Sequence, residues 1–88
     1  PMVVGIMRDK QIDAMIAAFA TSASAFVFTA PTSTRAASPG ELAEVSARIA
    51  PRVPTSVSND PREAIRMAAE LGSPVVVAGS LYLAGEVR

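Results

Sequence analysis

The chain contains neither cysteine nor histidine. Disulfides, thiol nucleophiles, Ser-His and Cys-His dyads and most transition-metal sites are thereby removed together. Chemistry must come from carboxylates, hydroxyls, cationic side chains or backbone amides, and three polar groupings stand directly beyond apolar stretches: Arg8-Asp9-Lys10, Thr32-Ser33-Thr34-Arg35 and Gly79-Ser80. Lys10 is the single lysine among eight basic residues. Its compact, strongly hydrated ammonium suits a carboxylate or phosphate as a point charge. Lys10 reads equally as a surface lysine in the first turn of a helix, where it opposes the dipole by roughly a few tenths of a kcal/mol. Asp9 reads as an N-cap ahead of a ligand, because capping alone contributes ~1 kcal/mol. Arg35 sits in an otherwise uncharged loop, where its guanidinium fork either grips a carboxylate in bidentate fashion or is simply solvated. Gly79 lets the backbone approach a ligand closely, and Ser80 follows it at a strand-to-helix junction whose free amides face an anion. Ser80 is an N-cap first and a binding residue second. Neither G-x-G-x-x-G nor G-x-x-x-x-G-K-[ST] occurs, so no phosphate-binding fingerprint is present.

The elements that position these groups follow from periodicity. Met2 to Met7 is a short apolar run without alternation, as in a parallel strand buried on both faces. Ile12, Met15, Ile16 and Phe19 recur at helical spacing, predicting an amphipathic helix from Lys10 to Ala20. Ala25 to Thr29 reads as a second strand that ends at Pro31, followed by a polar, aperiodic loop through Ala37. Ser38-Pro39-Gly40-Glu41 forms a capping box that opens a helix with Leu42, Val45 and Ile49 inward, and Pro51 closes it. Val53 to Val57 reads as a strand near a sheet edge, because Pro54 cannot donate to a ladder. Asp60-Pro61-Arg62-Glu63 repeats the cap pattern and opens a third helix with Ile65, Ala68 and Ala69 inward, which Gly72 stops. Pro74 to Ala78 is the most β-branched strand, and beyond Gly79-Ser80 a last helical segment carries Leu81, Leu83 and Val87.

The order β-α-β-α-β-α-β-α with short connections predicts an α/β fold: an open, mainly parallel sheet flanked by helices with right-handed crossovers. Its 88 residues make one domain or part of one, since domains run to about 100–150 residues. A chain this short buries only about 60–65% of its unfolded surface. That shortage, the open edges of a four-stranded sheet and the abrupt start at Pro1 predict a fragment lacking N-terminal strands of a complete domain. Half the residues are hydrophobic and 18% are charged, which excludes disorder. Eight basic and eight acidic residues give a net charge of zero, so no basic face is available for nucleic acid. No apolar run reaches the ~20 residues of a membrane span and no signal peptide opens the chain, so a cytoplasmic location without membrane partners is expected.

The final segment, Val75-Val76-Val77-Ala78-Gly79-Ser80-Leu81-Tyr82-Leu83-Ala84-Gly85-Glu86-Val87-Arg88, resembles the closing motif of folylpolyglutamate synthase and the bifunctional dihydrofolate synthase. There a β-branched strand runs into G-S-L-Y-L-x-G-E-V-R. Gly5-Ile6-Met7-Arg8-Asp9-Lys10 is similar to that family's first strand ending in Asp-Lys, and Arg35-Ala36 before Ser38 to Leu42 is similar to its Arg-Ala stretch leading into Leu. The resemblance covers essentially the whole chain in unbroken order. Ala78 stands where the family often has Thr, and Gln11 where an acid is frequent.

The family belongs with the muramyl amino-acid ligases. The resemblance implies a Rossmann-like fold and assigns residues 1–88 to the C-terminal, glutamate-binding domain of a larger ligase of folate biosynthesis and one-carbon metabolism. It implies that ATP and Mg²⁺ activate a dihydro- or tetrahydrofolate carboxylate as an acyl phosphate, which the amine of L-glutamate attacks. ATP and Mg²⁺ would be held mainly by an upstream ATP-binding domain of the same protein, so this chain alone is expected to be inactive. Lys10, Arg35, Ser80, Asp9 and Gly79 are the expected substrate-binding residues, with no catalytic or metal-binding residue assigned. The competing reading is a stand-alone α/β module that binds a small anion or signals in the manner of a receiver domain, without catalysis. A receiver needs an acidic cluster after its first strand and a phosphoacceptor Asp ending a central one. Asp9 alone is too little.

Overall fold

The computed structural model describes residues 1–8, 11–30 and 35–79. Within them the elements run β1 (Met2–Gly5), α1 (Ile12–Ala20), β2 (Phe26–Phe28), α2 (Pro39–Ile49), β3 (Thr55–Val57), α3 (Pro61–Leu71) and β4 (Val76–Gly79). The expected alternation is present as far as β4, and the helical segment anticipated over Leu81, Leu83 and Val87 lies outside the described residues. All pairings are parallel, in the order β3-β2-β1-β4. The fold is the expected Rossmann-like open sheet.

Strand alternation divides the interior between two faces. Met2, Val4, Ile6, Phe26 and Phe28 point to one side, where they pack with Ile16 of α1 and Leu42 of α2. Val3 and Val27 point to the other, against Ala64 and Ala68 of α3. The division follows from the strand order. Stepping outward from β1 through β2 to β3 keeps α1 and α2 on one face, while the return past β1 to β4 reverses direction and puts α3 on the other. Crossovers of constant hand require this.

α2 begins as its sequence predicts. The Ser38 hydroxyl accepts the Glu41 amide at 3.2 Å, and the Glu41 carboxylate accepts the Ser38 amide at 3.2 Å. Replacing Ser38 by alanine is expected to cost about 1 kcal/mol and to lower the melting temperature of the chain by roughly 4–8 °C. A thermal melt of Ser38→Ala beside the parent checks it. An unchanged midpoint would show that the cap adds nothing. α3 opens with the Asp60 carboxylate accepting the Arg62 amide at 3.0 Å. Glu63 does not complete a box there, because its carboxylate takes the Ser58 hydroxyl at 3.1 Å. Gly72 ends α3 at φ 152°, a conformation that only glycine adopts without strain.

Three expectations are corrected. The N-cap of α1 is Gln11, without a side-chain cap bond, so the helix starts at Ile12 rather than Lys10, and Asp9 does not stand at the cap position. The Arg8 amide donates to the Arg35 carbonyl at 2.7 Å and Met7 bridges Ala36 in antiparallel sense, so residues 7 and 8 are held by pairing with residues 35 and 36. Residues 35–37 are therefore not free polar loop: Ala36 and Ala37 are buried, and the Ala37 amide donates to the Ile6 carbonyl at 2.9 Å. In α3 the buried alanines are Ala64 and Ala68, one turn apart, whereas Ala69 is exposed. β4 is an edge strand of the described sheet, with Val76 46% and Val77 45% exposed. β3 forms the other edge, as Pro54 predicts, and the Pro54 carbonyl accepts the Phe26 amide at 2.8 Å.

Candidate functional site

Strand order locates the site before any side chain does. β2 and β3 lie to one side of β1 and β4 lies to the other, so the direction of winding reverses between β1 and β4. In open parallel sheets ligands gather in the crevice outside the strands' carboxyl ends at such a reversal. Gly5 and Gly79 are register partners there. Neither carries a side chain.

β1, β2 and β4 run in the same direction, and of the three polar groupings the described residues Arg8, Arg35 and Gly79 lie at this edge. Of the five expected binding residues, Arg35 and Gly79 fall within the described residues, while Asp9, Lys10 and Ser80 lie outside them. Gly79 closes β4 opposite Gly5. Arg35 is exposed, and its carbonyl receives the Arg8 amide. The segment that follows β2 therefore returns to the end of β1 instead of remaining above β2. Lys10, two positions ahead of the first residue of α1, precedes that helix rather than occupying its first turn.

An ion pair that the sequence gives no sign of joins the two segments. The Arg8 guanidinium donates to the Glu41 carboxylate at 2.7 Å, with the side chains 58% and 47% exposed. The same carboxylate oxygen closes the capping box on the Ser38 amide. The Arg8 hydrogen bond, then the Ser38 amide, lower the pKa of the Glu41 carboxyl below its usual range. These residues are 33 positions apart, so only the return of the β2–α2 connection to β1 could reveal them as partners. At the same edge the Thr29 hydroxyl, after β2, is fully buried without a hydrogen-bond partner.

Among the described residues no three acidic side chains gather to hold a metal ion, and no helix is long and apolar enough to cross a membrane.

Two solved structures share the fold. Both are of the folylpolyglutamate synthase of Mycobacterium tuberculosis, one complexed with ADP and one with ADP and AMPPCP. Each superposes with a TM-score of 0.79 over 89% of this chain, at 22% and 23% identity. The chain spans 20% of the length of those enzymes. No family model matches the sequence, and no curated protein matches it. The fold that the resemblance implied is the fold found.

Proposed function

We propose that this chain is the glutamate-binding domain of an ATP-dependent ligase that adds L-glutamate to a dihydro- or tetrahydrofolate, in the manner of folylpolyglutamate synthase. The observation that carries the reading is the shared fold, at a TM-score of 0.79 over 89% of the chain, with an enzyme named for that reaction. The site geometry is in keeping with it. A glutamate carries two carboxylates and an amine; Arg35 lies beside the end of β1, and Lys10 and Ser80 follow β1 and β4 in the sequence.

The residues present do not fit ATP or Mg²⁺. There is no phosphate-binding loop in the sequence and no acidic cluster among the described residues. Activation of the folate carboxylate accordingly belongs to the upstream domain, and the work of this chain is confined to the incoming amino acid. Lys10 and Arg35 would neutralise its carboxylates, Lys10 as a point charge and Arg35 as a fork. Ser80, at the exit of β4, would offer a hydroxyl and an amide to the same anion, with Asp9 beside Lys10 to orient it. Two fixed carboxylates leave the amine as the one mobile nucleophile, which is how positioning accelerates amide formation.

The test is glutamate-dependent ADP release in the presence of a folate, measured for the protein encoded by the whole reading frame and for this chain alone. The longer protein is expected to be active, and the 88-residue chain is expected to show neither ATPase nor ligase activity, since charge stabilisation at a transferring phosphoryl group is absent from it. A longer protein that releases no ADP in response to glutamate would remove the proposal.

A further inference from the structure

Arg8 ties the end of β1 to the segment that leads into α2 at two points. Its backbone amide donates to the Arg35 carbonyl at 2.7 Å, and its guanidinium reaches the Glu41 carboxylate at 2.7 Å on the third residue of α2. Between these two anchors lies the whole segment from Arg35 to the start of α2. The neighbouring bonds continue the seam, for Met7 bridges Ala36 and the Ala37 amide donates to the Ile6 carbonyl at 2.9 Å. The end of β1 and the entry to α2 are thus tied to each other, although each adjoins a different candidate binding segment. An ion pair between side chains this exposed adds little to stability. Its geometric effect is separate from its energy, since misplacing a binding group by about 1 Å can cost roughly 100-fold in rate.

We propose that Arg8, acting through Glu41, is a positioning residue that fixes Arg35 and the entry of α2 against the end of β1, and so sets the affinity of this edge for an amino acid bearing a side-chain carboxylate. The inference rests on the reading of the chain as a glutamate-binding ligase domain and deepens it. Neither side chain is assigned a contact with the substrate. Together they hold the groups that would make one.

The substitutions separate charge from capping. Glutamine serves at the third position of a capping box as well as glutamate does, so Glu41→Gln keeps the bond to the Ser38 amide and weakens only the attraction for Arg8. Arg8→Met keeps the stem and removes the guanidinium, and Arg8→Lys restores a cation. In the complete enzyme, Arg8→Met and Glu41→Gln are each expected to raise KM for glutamate by roughly tenfold with kcat within about twofold. The double variant should match either single one, because both remove the same link. Arg8→Lys should recover part of the loss. Melting temperatures should stay with the parent, whereas a purely structural role would move them together with kcat.

Amide hydrogen exchange at Ala37 supplies a readout that needs no substrate, and it should quicken in both single variants. Unchanged KM, effects that add in the double variant, or a loss of activity matched by a loss of folding would each overturn the positioning role. Lys10→Met distinguishes the two levels of the argument. If it raises KM for glutamate while Arg8→Met quickens exchange without changing KM, the substrate reading stands and the positioning role falls. If Lys10→Met, Arg8→Met and Glu41→Gln all leave KM unchanged, the substrate reading falls and takes this one with it.

Discussion

Lys10→Met in the complete enzyme is expected to lower kcat/KM for glutamate by roughly 10- to 100-fold. The magnitude follows from the loss of one charge-assisted contact, about 1.5–3 kcal/mol, converted at about 1.4 kcal/mol per tenfold. Methionine keeps the length of the stem, so stability should change by less than ~0.5 kcal/mol. In the sequence Lys10 follows β1, one of the two strands that flank the reversal of winding. Thermal melting beside glutamate-dependent ADP release, for the parent and Lys10→Met, decides the matter. Unchanged kinetics, or activity and folding lost in step, would make Lys10 an ordinary surface lysine.

Phe28→Ala is expected to destabilise the chain by about 3–5 kcal/mol, the cost of removing a large buried side chain together with the cavity it leaves. Phe28 is fully buried and stacks on Phe26 with ring centroids 5.0 Å apart. The two rings sit two residues apart on one face of a three-residue strand, beneath α1 and α2. No smaller residue can fill that layer without moving both helices. For a domain of this size each kcal/mol shifts the melting midpoint by about 4–8 °C, so the transition should fall by at least ~12 °C. Val57→Ala provides the contrast. Val57 lies on the edge strand β3 and is 49% exposed, so its truncation should stay within about 0.5 kcal/mol. Chemical denaturation of the two variants reads both values. A Phe28→Ala midpoint close to that of Val57→Ala would show that the aromatic layer is not the anchor of the fold.

Local signals carried the elements, and they carried them because each depends on near neighbours. Ser38, Pro39 and Glu41 fix the start of α2 through bonds that span three residues. Gly72 fixes the end of α3 through its own backbone angle. Pro54 put β3 at an edge because a missing donor cannot serve an interior ladder. The same reasoning misread the start of α1, where Arg8 and Met7 pair with Arg35 and Ala36, residues that no window around Asp9 contains. It misread α3 by one position as well. Ala64 and Ala69 are the same residue type, and only the closeness of Val3 and Val27 decides which alanine is buried.

The sequence by itself therefore determined the β/α alternation, the helix boundaries set by caps and stops, the parallel class of the sheet, and the three polar groupings beyond strand ends. Tertiary structure alone decided the order β3-β2-β1-β4, and with it the reversal of winding between β1 and β4. It also decided which face each helix covers, the return of Arg35 to the end of β1, and the pairing of Arg8 with Glu41. Caps and periodicities are properties of a few consecutive residues, whereas strand order and cross-chain pairs minimise the exposure of a whole apolar sheet under crossovers of one hand. That minimum depends on every element at once, so no single stretch of the chain records it.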